Sequence, residues 1–206
     1  EEGRPFFAIM WTGQTHYPYF NMEPAQPFEG VGEMQNRYLN AIRESDAVIG
    51  KILRELQEMG MLDSTLVVLV GDHGQAFGQH GQYGHGSRIY EENVRVPLLM
   101  IQPRLFSGEM DQTVGSMVDV APTILHILGL DLPADWQGRS LLAGNRSQRT
   151  YFLAPWSGAW FGYREGSRKY IYLAEEDRCE VYDLASDAEE KNDLAPTLLP
   201  EELEQA

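Results

Sequence analysis

Three histidines, one aspartate and six glycines fall within sixteen residues of this chain, Gly71-Asp72-His73-Gly74-Gln75-Ala76-Phe77-Gly78-Gln79-His80-Gly81-Gln82-Tyr83-Gly84-His85-Gly86. An aspartate offers hard oxygens and a histidine a borderline nitrogen. Adjacent at a strand end, Asp72 and His73 can both turn toward one divalent cation. Glycines permit the backbone conformations that let a loop fold back, which would bring His85 to the pair from the other side. Residue types alone leave two readings open: a metal-binding loop, or a flexible glycine loop with surface histidines. His80 lies in the same loop and is expected to shape its rim.

Chemistry of this kind needs elements that hold it in place. Thr65 to Val70 is a fully apolar run of strand length that ends directly at Gly71, so the loop hangs from the carboxyl end of a buried strand. Before it, Tyr38, Ile42, Ile49, Ile52, Leu53 and Leu56 recur at three-and-four spacing, predicting a helix over about residues 34–59 that stops at Gly60. Pro5 to Trp11 reads as another buried central strand, followed by a polar and aromatic loop, Thr12 to Tyr19. Residues 96–102 give a third strand, and Asp119 to Leu128 a short helix in which His126 is expected to pack or cap. Helix, turn, buried strand and polar loop in this order indicate an α/β sheet, whose ligands gather beyond the carboxyl ends of the strands.

The texture changes near residue 150. Tyr151-Phe152-Leu153, Trp160-Phe161-Gly162-Tyr163, Lys169-Tyr170-Ile171-Tyr172 and Glu180-Val181-Tyr182 are short aromatic strands separated by turns, expected to form a small antiparallel sheet packed by a helix. The division expected is therefore residues 1–149 for the α/β part and 150–206 for the small C-terminal part.

Composition excludes some partners. Acidic residues outnumber basic ones 31 to 16, for a formal charge of -15, so nucleic acid and anionic membranes are repelled. An anionic ester would need a site made locally positive by a metal ion or by clustered His and Arg. The single cysteine, Cys179, excludes an intramolecular disulfide and sits in a strand, where packing is its expected role. No apolar run reaches the roughly 18–20 residues that span a bilayer. Asn145-Arg146-Ser147 is a formal glycosylation sequon.

The run Gly71-Asp72-His73-Gly74 with its glycine-rich continuation resembles the Ser/Gly-Asp-His/Asn-Gly segment of the sulfatase family, within the alkaline phosphatase superfamily. Thr15-His16-Tyr17-Pro18-Tyr19 is similar to an upstream histidine loop of that family. Further likenesses follow in the family's order: Tyr90-Glu91-Glu92-Asn93-Val94-Arg95-Val96-Pro97-Leu98, Asp119-Val120-Ala121-Pro122-Thr123, Gln137-Gly138-Arg139-Ser140-Leu141, and Glu180-Val181-Tyr182-Asp183-Leu184 with Asp187, Glu190, Asn192 and Leu194. They cover roughly residues 5–195.

The resemblance implies the C-terminal portion of an alkaline-phosphatase-like α/β fold. It implies Asp72 and His73 as ligands of a divalent cation, calcium in most sulfatases with zinc or manganese as alternatives. His16 and His85 are implied as the groups that engage the ester. His85 stands where many sulfatases carry a lysine, a departure shared with phosphoethanolamine transferases and some phosphodiesterases, which keeps phosphoryl chemistry open. Arg95 is placed to pair with an anion, or with Glu91 or Glu92. No Cys- or Ser-x-Pro-x-Arg stretch occurs, so the formylglycine nucleophile is expected in an N-terminal part beyond this chain, and the chain alone is expected to be inactive. A sulfated small molecule or saccharide, the missing N-terminal part and a second copy of the chain are the expected partners. A periplasmic, membrane-anchored or secreted parent is expected rather than a cytoplasmic one.

Overall fold

The computed structural model describes residues 3–22, 24–144 and 146–198. Asn145 of the sequon, Glu1, Glu2, Glu23 and residues 199–206 lie outside the described residues. In chain order the elements are α1 (Glu33–Glu58), β1 (Val67–Val70), β2 (Ala76–Phe77), β3 (Tyr83–Gly84), α2 (Glu91–Val94), β4 (Leu98–Ile101), α3 (Val120–Ile127), β5 (Arg149–Ala154), β6 (Trp160–Glu165), β7 (Arg168–Leu173) and β8 (Arg178–Asp183). β1 pairs with β4, β2 with β3, and β5 to β8 form a four-stranded sheet in sequential order. The chain divides into two compact units, one of Glu1–Val67 with Met100–Ser107 and one of Val68–Leu99 with Gly108–Ala206. Among the described residues no helix is long and apolar enough to cross a membrane.

In the first unit, α1 ends as its sequence predicts. Gly60 takes φ +68, its N–H reaches Gln57 O, and Met61 N–H reaches Leu56 O. That paired closure needs a left-handed residue, which glycine supplies at no steric cost. The helix packs differently from its apolar pattern, however. Its buried positions are Asn40, Ala41 and Ser45, while Ile42 is exposed. Asn40 binds both backbone groups of Gln26, at 2.8 and 2.9 Å, and Asn36 Oδ1 accepts the Phe28 N–H at 2.8 Å. Two amide side chains thus stand in for a neighbouring strand and order the irregular stretch after residue 21.

The buried strand expected over Pro5–Trp11 is not formed. None of the three sheets includes it, and Phe6, Phe7, Ile9, Met10 and Trp11 are 62–89% exposed. A strand satisfies its N–H and C=O groups only against a neighbour, and no described residue supplies one.

The second unit is organised by the β5–β8 sheet, antiparallel throughout. Its packed face carries Ala154, Trp160, Ile171, Leu173 and Tyr182, against which Ile89 and Tyr90 are buried. Burying side chains of this size contributes roughly 1.5–3 kcal/mol each. Gly162 permits the close approach, since a Cβ there would lie 2.7 Å from Ile89 Cδ1 and 2.6 Å from Tyr170 O. The cover expected from a helix is therefore the Ile89–Val94 segment, of which only the four-residue α2 is helical.

Charged groups lie inside this core. Lys169, with no exposed surface, pairs with Glu91 Oε1 at 2.9 Å and Glu190 Oε1 at 2.8 Å. The second oxygen of Glu190 accepts the Glu91 N–H at 2.5 Å. Burial pushes the Glu190 carboxyl up, while Lys169 and that N–H pull it down; the net direction is upward. Glu180, also buried, accepts from Tyr90 Oη at 2.8 Å and Tyr182 Oη at 2.9 Å and pairs with Arg178. Burial first, then this carboxylate, raises both phenols well above their ordinary value.

Two sequence motifs gain a structural meaning here. Asp119, at the start of α3, accepts Ser116 N–H (2.9 Å) and Arg139 N–H (2.8 Å) and pairs with Arg146 at 2.8 Å. Thr123 Oγ1 accepts the Leu141 N–H, so the helix start and the Gln137–Leu141 turn are stitched together. His126 is exposed rather than packed, with Nδ1 2.7 Å from Ser140 Oγ of the same turn. At the C-terminal end, Asp193 Oδ1 accepts Val181 and Ala195 N–H groups, and Ala195 is buried. The tail is therefore held at least as far as Ala195. Cys179 lies half-buried in β8, where burial pushes its thiol up, consistent with packing.

Replacing Lys169 by Met strands Glu91 and Glu190 as buried carboxylates. Such a loss costs about 3–5 kcal/mol, and urea denaturation of Lys169→Met against wild type is expected to show a drop of that size.

Candidate active site

The glycine-rich loop belongs to the second unit. β2 and β3 form a two-residue-deep hairpin, pairing Ala76 with Gly84 and Phe77 with Tyr83. This fold-back delivers His85 onto His73, with ring centroids 3.8 Å apart and planes 25° from parallel. Asn93 braces the loop on both sides, its carbonyl accepting the Gly74 N–H at 2.8 Å and its side-chain amide donating to Gly84 O at 3.0 Å. Gly74 cannot be replaced here, because a Cβ would sit 2.1 Å from Glu92 O.

Asp72 and His73 present their donors together. Asp72 Oδ2 lies 3.7 Å from His73 Nε2, and Asp72 Oδ1 accepts the His73 backbone N–H at 3.0 Å. His73 Nδ1 lies 2.8 Å from Gly74 O, which can only accept, so Nδ1 carries the proton and Nε2 keeps its lone pair. His85 Nδ1 lies 2.8 Å from Gln75 Oε1 and follows the same logic. A ring whose Nδ1–H is committed to an oxygen is the arrangement found in metal-ligating histidines. The donor set fits part of a cation site: one carboxylate and one imidazole nitrogen, open to solvent, with Asp72 78% exposed. Among the described residues no group of three His, Cys, Asp or Glu is placed to hold an ion.

His16 belongs to the first unit. Its N–H reaches Gly13 O, its carbonyl accepts from Tyr19 N–H, and Nδ1 lies 2.8 Å from Tyr17 O. The Tyr17–Pro18 bond is cis. Tyr19, 3% exposed, anchors the loop edge-on to Tyr38 of α1, ring centroids 5.3 Å apart. The His16 ring is exposed, with Nε2 outside that hydrogen bond.

His80 does more than shape a rim. It holds φ +47 at the hairpin tip, places Nδ1 2.8 Å from Glu92 Oε1 and Nε2 3.0 Å from Glu190 O, and stacks on Tyr90 at 3.7 Å. A carboxylate and a carbonyl together call for two donors, hence the imidazolium. Burial works against that charge, but Glu92 and the Glu190 carbonyl outweigh it, and the pKa is raised above 6.5. Glu91 and Glu92 are thereby committed to Lys169 and His80. Arg95 is exposed and pairs with neither. The available signal was the pair Glu91-Glu92 together with Glu190, acidic residues inside otherwise apolar motifs.

The family model for sulfatases matches residues 1–130, and a second, for the C-terminal part of N-sulphoglucosamine sulphohydrolase, matches residues 78–205. The chain belongs to the sulfatase family. It is 31% identical over 182 residues to arylsulfatase K of Mus musculus, covering 80% of this chain and 32% of that protein. It is 30% identical over 174 residues to N-acetylglucosamine-6-O-sulfatase of Bacteroides thetaiotaomicron, covering 76% and 31%. A protein solved in complex with its substrate D-glucosamine-2-N,6-O-disulfate matches at TM-score 0.69 and 28% identity, over 80% of this chain and 38% of that one. This sulfatase chain thus spans about a third of the length of the curated relatives it matches, and its fold is alkaline-phosphatase-like α/β with the small antiparallel sheet at the C-terminus.

The His80 latch has a pH signature. Its folded pKa lies above the unfolded value of 6.5, so its stabilisation is complete below about pH 6.5 and fades as pH rises through the folded pKa. The urea midpoint of His80→Gln is expected to fall furthest below wild type at about pH 6, with the gap narrowing above about pH 7. A gap independent of pH would contradict the charged latch.

Proposed function

We propose that this chain furnishes the cation-binding and ester-binding portion of a sulfate ester hydrolase whose nucleophile, a formylglycine, lies outside it. Asp72 and His73 hold a divalent cation, calcium first, with zinc or manganese as the alternatives. The observation that carries the reading is the convergence of Asp72 Oδ2 and His73 Nε2, the latter freed by the bond from Nδ1 to Gly74 O. Two ligands hold calcium poorly, because it takes about 6–8 oxygens. Further ligands from elsewhere in the whole protein complete the site, and the chain alone is inactive.

A bound dication would neutralise the ester oxygens and favour attack on sulfur. The chain's own residues do the rest. Once protonated, His16 and His85 donate from Nε2 to the ester oxygens, and either can return a proton to the leaving oxygen. His85 is held for this by Gln75 and by its stack on His73. The substrate is a sulfated saccharide, a reading supported by the names of the 6-O-sulfatase relative and the disulfated glucosamine complex. Such polymers are met outside the cytoplasm, which favours a periplasmic, membrane-anchored or secreted protein. The uncovered Phe6–Trp11 run is the face on which the remainder of the sheet builds.

The test is hydrolysis of an aryl sulfate and an aryl phosphodiester by the longer protein carrying this chain, with calcium, zinc or manganese, and with this chain as control. Sulfate turnover with calcium is expected, reduced about a hundredfold or more in His85→Gln and abolished by chelation or by Asp72→Asn with His73→Gln. Preference for the phosphodiester with zinc or manganese would move the protein to phosphoryl chemistry. Turnover by the isolated chain would refute the division of the site.

A further inference from the structure

The β5–β6 turn carries groups that the cation and ester reading leaves unused. Trp156 in that turn is 85% exposed. A Cβ placed on Gly86 would lie 3.8 Å from Trp156 Cδ1, so the indole stands alongside the backbone immediately after His85. Next along the turn, Ser157 and Gly158 border a pocket of about 180 Å³ that also takes in Arg88, Trp160, Glu175 and Glu176. At about 30 Å³ of liquid per molecule that is the space of about six waters, or of one sugar ring.

Polar groups line the pocket, and one of them, Glu176, already pairs with Arg178 at 2.9 Å. Trp160 is only 2% exposed, and its indole edge lines the pocket. The Arg88 guanidinium lies 4.1 Å from the centre of the Trp160 ring. Gly158, at φ +86, leaves the space open: a Cβ there would lie 3.4 Å from Glu175 Oε2 and 3.6 Å from Trp160 Nε1. An acceptor, Glu175 Oε2, and an indole N–H therefore flank the same space, and a cationic donor, Arg88, lines it.

We propose that Trp156 and this pocket form a saccharide subsite, which takes the pyranose ring next to the sulfated residue; the inference rests on the sulfatase reading above. The C–H face of a sugar matches an exposed indole, which excludes water from an apolar surface without demanding a particular hydroxyl pattern. Vicinal hydroxyls match the mixed lining, donating to Glu175 and accepting from Trp160 Nε1 and Arg88. Charge selects the occupant further. Two carboxylates and one guanidinium line the pocket, so the ring it takes carries no sulfate or carboxylate of its own.

The test uses the longer protein carrying this chain. The kcat/KM ratio of a disaccharide ending in glucosamine 6-sulfate to 4-nitrophenyl sulfate is measured for wild type, Trp156→Ala and Glu175→Gln, two exposed positions. The ratio is expected to fall about tenfold in Trp156→Ala, the equivalent of about 1.4 kcal/mol, mostly through KM, and to fall in Glu175→Gln as well. A second measurement, saturation-transfer NMR with the unsulfated disaccharide, is expected to show transfer to the ring beyond the reducing residue in wild type and none in Trp156→Ala. An unchanged ratio, or one that improves when the neighbouring ring is sulfated, overturns the subsite. A stability loss in Trp156→Ala with selectivity intact makes the indole a packing contact and overturns it too. Absence of all sulfatase turnover, with indole-dependent NMR transfer retained, would instead sink the functional reading and leave the subsite standing.

Discussion

Lys169 cannot leave water unless both of its carboxylate partners are in place. Its ammonium has no exposed surface, and the pair that neutralises it comes from distant parts of the chain, Glu91 at the start of α2 and Glu190 in the closing segment. Burying three ionised groups costs several kcal/mol each, and the attraction among them offsets this only where the geometry is complete. The network therefore acts as an all-or-none clamp. It holds β7, α2 and the C-terminal segment in one arrangement, and a partial version is worse than none.

The candidate site depends on that clamp at one remove. Glu190 offers its carbonyl to His80 Nε2 while its carboxylate serves Lys169, and Glu92, beside Glu91, serves His80 Nδ1. The hairpin tip is thus pinned to the same short stretch that docks on the sheet through Ile89 and Tyr90. Asn93, in that stretch, ties down both ends of the loop, at Gly74 and at Gly84. The result is a glycine-rich loop whose conformational freedom has been spent. The stacking of His85 on His73 follows from packing some distance away, not from the local sequence.

Periodicity and turn chemistry made most elements legible. α1 with its Gly60 closure, β1, β4, α3 and the four aromatic strands of β5–β8 all stand near their expected places, because each signal is local. The failures are non-local. Pro5–Trp11 has the composition of a central strand, but composition cannot supply the neighbour that makes it one. Ile42 follows helical spacing and is still exposed, while the rest of the stripe is half-buried and Asn36 and Asn40 add a grip on backbone that periodicity does not show. His80 was legible as a loop residue only, because one of its partners lies 110 positions away. Asp72, His73 and His85 were legible as a group from their spacing in a glycine loop, whereas their tautomers depend on which oxygens the fold sets beside each Nδ1.

Those tautomers bear on how a chain of charge -15 can handle an anion. His16, His73 and His85 each bind an oxygen through Nδ1, to Tyr17 O, Gly74 O and Gln75 Oε1. Every Nε2 is then the working atom, a lone pair when neutral and a donor when protonated. One residue type can thus serve either as a ligand for a cation or as a hydrogen-bond donor to an ester oxygen, the difference being set by what lies nearby. At Asp72, a carboxylate 3.7 Å from Nε2 favours a positive guest between them. A protonated Nε2, by contrast, favours an anion. The surface field repels sulfate at long range, but it is screened over about 8 Å at physiological salt. Within that distance the few committed nitrogens, rather than the net charge, decide what binds.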